Sequence, residues 1–197
     1  MTRIVTFTSV TLDGVMQAPA RPDEDTRGGF QHGGWAVPYA DEDLGRISME
    51  DMGSTGGILL GRRTYEDLHR VWQGRTDNPY TEVLNNTQKY VASRTLREPL
   101  PWENSTLLDG DAVTAVARLR AQPGPDIVVL GSGELVRALM RASLIDEFVL
   151  VIHPLLLGAG QHFFPDDGPR LPFRLHKTTS TSKGVIVATY RVEADSA

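Results

Sequence analysis

Three short stretches of the chain set glycine, hydroxyl and guanidinium groups side by side: Gly61-Arg62-Arg63-Thr64, Ser93-Arg94-Thr95 and Gly131-Ser132-Gly133-Glu134-Leu135. Each follows a short apolar run. The combination suits an anion, phosphate above all. A guanidinium is a planar fork of donors that matches phosphate oxygens. Glycine lets the backbone come close to a ligand, and the first turn of a helix leaves N–H groups without intrahelical partners. Arg62 and Arg63 stand where a helix should begin, a poor place for cations unless an anion is expected there. Blander readings stand beside these. A Gly-x-Gly turn also serves plain packing, and arginines at a helix start can simply be solvated.

The elements that must position these groups follow from the apolar pattern. Ile127 to Leu130 is continuously apolar and β-branched, as a central strand covered on both faces requires. Leu135, Val136, Leu139 and Met140 then recur at helical spacing, with Ser132 and Glu134 suited to the helix start. A dinucleotide fingerprint would want a third glycine where Val136 stands and an acid about twenty positions on, where the chain has His153. A phosphate-binding turn survives that comparison and the full fingerprint does not. Gly57 to Gly61 and Gln88 to Ala92 read as two more strands, each ending in one of the arginine turns. In open α/β sheets ligands gather beyond the carboxyl ends of strands, so the three ends suggest one shared pocket.

Around that nucleus, Arg3 to Thr11 reads as an interior strand ending in the turn Thr11-Leu12-Asp13-Gly14, which Asp13 is suited to cap. Gln17 to Gly34 has no apolar period and reads as a long loop of the kind that works as a lid. Trp35 follows it, placed either to cover a planar ligand or to anchor the loop. Asp41 to Gly53, with Leu44, Ile47, Met49 and Met52, reads as a surface helix, and Asp111 to Arg120 as an amphipathic one. Pro99, Pro101 and Trp102 make a loop, and Phe148 to Ile152 a strand. Phe173 to Thr181 and Val185 to Val192 flank Ser182-Lys183-Gly184, a hairpin signal. The expected class is α/β, a mixed and mostly parallel sheet with helices on both faces and an antiparallel C-terminal hairpin.

Composition narrows the function. At 197 residues, 40% apolar and 23% charged, the chain reads as one domain spanning residues 1–197. No apolar run approaches the roughly 20 residues that span a bilayer. The N-terminus enters a strand pattern without a leader, so a cytoplasmic location is expected. Zero cysteines exclude disulfides and thiolate metal sites, and the five histidines form no His-x-x-x-His pair, so no metal is expected. A net charge of -5 offers no basic field for nucleic acid.

Five motifs in order carry a resemblance over nearly the whole length: Thr-Leu-Asp-Gly at residues 11–14, Leu-Gly-Arg-Arg-Thr-Tyr-Glu at 60–66, Val-Ala-Ser-Arg-Thr-Leu at 91–96, Gly-Ser-Gly-Glu-Leu at 131–135 and Leu-Ile-Asp-Glu at 144–147. Pro-Leu-Leu-Leu-Gly-Ala-Gly at 154–160 agrees with them. The chain resembles the dihydrofolate reductase superfamily, and more closely a stand-alone form of the reductase domain of the bifunctional riboflavin-biosynthesis deaminase-reductase. The resemblance implies a dihydrofolate reductase-like three-layer fold and NADPH as cofactor. It places Gly61, Arg62, Arg63 and Thr64 at the cofactor phosphates and Ser93 and Arg94 at the adenosine 2′-phosphate. Gly131, Ser132, Gly133, Glu134 and Leu135 cradle the pyrophosphate. It also implies a small heterocyclic or carbonyl/imine substrate, as in 5-amino-6-(5-phosphoribosylamino)uracil reductase or dihydrofolate reductase, and a homodimer.

One departure touches the substrate side. Dihydrofolate reductases carry a carboxylate on the helix before the Gly-Arg strand, where this chain offers Asp41, Asp43, Glu50 and Asp51 in no recognisable motif, with Gly45 at the counted position. Asp13 and Trp35 are the expected substrate-pocket residues instead, flanking the lid. The catalytic proton donor is left unassigned. The rival reading is a non-catalytic nucleotide- or heterocycle-binding module on the same fold.

Overall fold

The computed structural model describes residues 1–53 and 55–193. The strands are β1 (Ile4–Thr11), β2 (Gly57–Gly61), β3 (Lys89–Ala92), β4 (Ser105–Leu107), β5 (Ile127–Leu130), β6 (Glu147–His153), β7 (Phe173–Ser180) and β8 (Ile186–Val192). They form one sheet in the order β4-β3-β2-β5-β1-β6-β8-β7. The helices among the described residues are α1 (Glu42–Gly53), α2 (Arg62–Trp72), α3 (Pro79–Asn86), α4 (Ala112–Ala121) and α5 (Gly133–Arg141), with two 3-10 turns at Arg27–Gly29 and Val37–Tyr39. None is long and apolar enough to cross a membrane. The residues divide into two compact units, one built of Met1–Val5 with Ser48–Asp146, the other of Thr6–Ile47 with Glu147–Ala197.

The first unit is the parallel half. β2 pairs in parallel with β3 on one side and β5 on the other, and β3 with β4. Parallel neighbours need crossover connections: α2 and α3 supply the one from β2 to β3, and a loop of residues 93–104 the one from β3 to β4. Ile58, Leu59, Leu60, Ile127, Val128 and Val129 are all buried, as expected of strands covered on both faces. Arg3 begins the unit by donating two hydrogen bonds to Asp126. Nearby, Asp146 accepts from the Ile4 N–H at 2.8 Å and from the fork of Arg120 at 2.6 and 3.2 Å.

Two elements of this unit, α3 and β4, were not anticipated. The Asn78 side chain caps α3 by accepting from the Tyr80 N–H, and Pro79 occupies its first turn, so eight residues suffice. β4 is three residues long at the sheet edge, too short to show a period. The Trp102 loop between them turns inward. Trp102 is buried, its backbone N–H donates to the Tyr65 hydroxyl at 3.0 Å and its indole N–H to Asn85 at 2.7 Å. Lys89, which opens β3, is fully buried. Its ammonium donates to the carbonyls of Leu84, Asn85 and Thr87 at 2.7, 3.2 and 2.7 Å and lies 4.8 Å above the Trp102 ring. A cation thus closes the carbonyl end of α3, where the helix dipole favours it.

The second unit is antiparallel. β8 lies between β6 and β7, pairing Val149 with Thr189 on one side and Thr179 with Val187 on the other, with an irregularity between Leu175 and Lys177. The hairpin closes at Gly184, whose φ of 79° needs glycine. Asp41 receives this turn. Its carboxylate accepts from the Ser182 hydroxyl at 2.9 Å and the Lys183 N–H at 3.1 Å while capping α1 through the Leu44 N–H at 2.8 Å. Those bonds, the Leu44 N–H first, pull its pKa down to about 2. Asp41 is therefore a structural carboxylate. The side chains of Asp51 and Met52, expected on the same helix, lie outside the described residues.

The segment from Gln17 to Gly34 is packed into this unit. Gln17 is buried, donates to the carbonyls of Asp25 and Arg27 at 3.1 and 2.9 Å, and accepts from the Gln161 N–H at 3.0 Å. Val15, Ala18, Phe30 and Trp35 form a small core beneath it, joined by Leu155 and Leu157. The segment lacks an apolar period because polar side chain-to-backbone bonds fold it.

Candidate functional site

Within the parallel unit the three arginine and glycine turns share one end of the sheet. Gly61 is the register partner of Ala92, so Arg62 and Ser93 follow neighbouring strand ends. Leu59 pairs with Val129, which puts Gly61 and Gly131 the same two residues further along β2 and β5. Side chains then fasten the turns. The Ser132 hydroxyl accepts from the Gly61 N–H at 2.9 Å and donates to the Leu130 carbonyl at 2.9 Å. The Ser132 N–H donates to the Thr64 hydroxyl at 3.2 Å.

That fastening explains an unusual backbone. Gly131 and Ser132 both take left-handed conformations, with φ of 52° and 54°. Ser132 precedes α5 without capping it by its side chain. Ser132 stands at the helix start as expected, with its hydroxyl turned back onto the β2 and β5 ends. A left-handed serine costs on the order of 1 kcal/mol, which three hydrogen bonds offset. The first intrahelical bond of α5 runs from the Val136 N–H to the Ser132 carbonyl at 3.0 Å. The N–H groups of Gly133, Glu134 and Leu135 precede it and point out of the helix start. The Leu135 side chain itself is buried, so only its backbone is placed for a ligand.

The charged groups lie at the surface of these turns. Arg62 pairs with Glu66 at 2.9 Å within α2, and Arg63 reaches Glu134 of α5 at 3.0 Å. Arg94 is exposed, and its charge helps depress the pKa of Asp111, after the larger effect of the Thr114 N–H that this carboxylate caps. The Ser93 hydroxyl accepts from the N–H groups of Thr95 and Leu96 at 3.1 and 3.0 Å, which folds the turn that presents Arg94. Backbone N–H, hydroxyl and guanidinium groups are therefore at one end of three adjacent parallel strands. A nucleotide pyrophosphate fits this donor set. A Cβ on Gly131 would meet the Thr64 side chain at 3.3 Å, so the close backbone turn depends on glycine.

The two residues expected to line a substrate pocket lie in the antiparallel unit, and both are engaged there. Asp13 accepts from the Thr11 hydroxyl and from the N–H groups of Gly158 at 2.7 Å and Leu157 at 3.2 Å. The Thr11 hydroxyl leads in holding its carboxyl below the usual range. Trp35 is buried, donates its indole N–H to the Gln17 carbonyl at 2.7 Å and meets His153 edge-on at 5.1 Å. These contacts tie it to the loop that precedes it. His153 is fully buried beside Trp35 and Tyr39, and burial lowers its pKa. A cleft of about 380 Å³ does open in this unit, between residues 27–32 and 159–161 over Gln17. Arg27, Gln31, His32 and Gln161 line it, none of them singled out by the sequence pattern; the change of composition over residues 17–34 was the only signal for the first three, and Gln161 had none. Asp13 and Trp35 support its surroundings. Among the described residues no three His, Asp or Glu side chains are grouped to hold a metal ion.

A mixed, mostly parallel sheet that includes an antiparallel C-terminal hairpin defines a dihydrofolate reductase-like α/β protein. The chain belongs to the RibD C-terminal domain family, whose family model matches residues 2–187. It is 30% identical over 194 residues to the uncharacterized protein YyaP of Bacillus subtilis (strain 168), covering 95% of this chain and 94% of that one. Among solved structures, a candidate riboflavin biosynthesis protein from Shewanella sp. PV-4 is 26% identical with a TM-score of 0.71, over 98% of this chain and all (100%) of that one. A dihydrofolate reductase from Enterococcus faecalis, solved with NADP(H), shares the fold at a TM-score of 0.60 and 15% identity, over 98% of this chain and 97% of its own. The resemblance carried by the five sequence motifs and the expected fold class are both met.

Proposed function

We propose that the protein is an NADPH-dependent reductase that transfers a hydride to a small heterocyclic or carbonyl/imine substrate. The observation that carries this reading is the fastening of the β2 and β5 turns through Ser132, beside Ser93 and Arg94 at the end of β3. In this reading Gly61, Arg62, Arg63 and Thr64 receive the cofactor phosphates, and Gly131 to Leu135 offer backbone N–H groups to the pyrophosphate. Arg94 with Ser93 takes the 2′-phosphate. The cofactor supplies the hydride, and the protein's part is to bind, orient and exclude water. A cytoplasmic homodimer completes the reading.

The test is NADPH oxidation against a panel of pyrimidine, pterin, imine and carbonyl compounds, with wild type and Arg94→Ala. Turnover with NADPH is expected, and Arg94→Ala should raise the KM for NADPH at least about tenfold while leaving that for NADH unchanged, because only NADPH carries the phosphate that a charged donor holds. Tight nucleotide binding with no turnover on any compound would favour the non-catalytic module.

The dimer reading rests on the edge strand β7, which exposes Phe173 and Leu175, while Ile186 of β8 is exposed beside it. An uncovered apolar edge is a ready template for pairing. Sedimentation at micromolar concentration should show a dimer that Leu175→Lys converts to monomer; a monomeric wild type would refute it.

A further inference from the structure

Arg63 and Glu134 occupy the second positions of α2 and α5, the two helices that start at the fastened turns. Their side chains meet at 3.0 Å and are 56% and 72% exposed. The turns are already joined by the Ser132 hydroxyl to Gly61 and by Thr64 to the Ser132 N–H, so this pair is not needed to hold them together. It also differs from the neighbouring Arg62–Glu66 pair, which lies within one helix. Glu134 supplies what a helix start and an arginine against a helix dipole both lack, a nearby anion.

We propose that Glu134 is a competing anion that holds Arg63 until a nucleotide phosphate displaces it, so that this ion pair sets the strength and lifetime of cofactor binding. The inference rests on the reading of these turns as the NADPH site. A water-exposed carboxylate-guanidinium pair is weak. A phosphate carries more acceptor oxygens and also suits the N-terminal turn of α5, where the helix dipole favours an anion. The carboxylate therefore yields to the phosphate, and returns to Arg63 when the nucleotide leaves. The Glu134 carboxylate keeps the site charge-balanced and speeds release; only the residue's backbone N–H serves the bound state.

Titration of NADP+ by calorimetry, with release followed by stopped-flow fluorescence, tests this on wild type, Glu134→Gln, Arg63→Gln and the double variant. Glu134→Gln should bind about three- to fivefold more tightly with correspondingly slower release, the size expected from removing an exposed ion pair. Arg63→Gln should bind more weakly, and adding Glu134→Gln to it should bring no gain. Unchanged or weaker binding by Glu134→Gln would overturn the proposal. So would a gain that persists without Arg63, which would mean simple repulsion of the phosphate. Failure of all four proteins to bind NADP+ would instead remove the nucleotide reading on which the proposal stands.

Discussion

Replacing Gly131 with valine should abolish nucleotide binding, lowering affinity for NADPH at least about 100-fold, or some 2.7 kcal/mol, while circular dichroism shows the fold intact. Gly131 has a φ of 52°. A β-branched residue there costs on the order of 1–2 kcal/mol from backbone strain alone. Its Cβ would also press on the Thr64 side chain, already at 3.3 Å from the position it must occupy. Thr64 is the acceptor that holds the Ser132 N–H, and Ser132 is the acceptor for the Gly61 N–H. One added side chain thus shifts two turns together. The strand core beneath is packed by Leu59 and Val129, both fully buried and remote from the change in register, so folding should survive. Retained affinity in the valine variant would show that this turn does not approach the ligand.

The second large effect concerns stability. Lys89→Met should destabilise the protein by about 3 kcal/mol, a fall in Tm of roughly 10 °C for a chain of this size. Methionine matches the lysine stem in length but leaves the carbonyls of Leu84 and Thr87 without the donor they have now; that of Asn85 keeps the Asn104 amide at 2.9 Å. The loss also removes a cation from the end of α3 and from the face of Trp102. Burial draws the Lys89 pKa from 10.5 to about 8, so the group is charged at neutral pH. Because the unfolded chain holds this proton more tightly than the folded one, stability from this group rises as pH increases from about 8 toward 10.5. Chemical denaturation across that window should show the rise in wild type and its absence in Lys89→Met.

These two residues mark what the sequence makes legible. Gly131 could be found because a continuous apolar strand broken by glycine and followed by helical spacing has few structural solutions. The same logic exposed β2 and β5, and the paired glycines and arginines at their ends. Lys89 could not be found. In a run reading Gln-Lys-Tyr-Val-Ala it looks like an ordinary polar residue on a half-buried strand, and its burial depends on α3, whose eight residues carry too little period to be seen. Trp102 was hidden in the same way, as one aromatic residue in a proline-rich loop that folds inward only because Tyr65 and Asn85 await it.

In the antiparallel half the difficulty lies in long-range pairing. Asp13 and Trp35 are of residue types that line pockets, and they stand where the chain leaves its first strand. The structure uses both to secure loops: Asp13 through the N–H groups of residues 157 and 158, Trp35 through the carbonyl of Gln17. Such long-range pairings have no local signature. The polar bonds that fold residues 17–34 likewise leave no periodic trace, and the cleft residues Arg27, Gln31, His32 and Gln161 come together only through that folding.

In the reading proposed above, the ends of β2, β3 and β5 form one site for a 2′-phosphorylated dinucleotide. The measurement that tests it most directly is a calorimetric titration of the wild-type protein with NADPH and, separately, with NADH. Saturable binding of NADPH is expected, at least about tenfold tighter than that of NADH, as a charge-assisted contact to one extra phosphate provides. Absence of binding by either nucleotide would contradict it, and the glycine and arginine turns would then serve packing and surface charge on a shared fold.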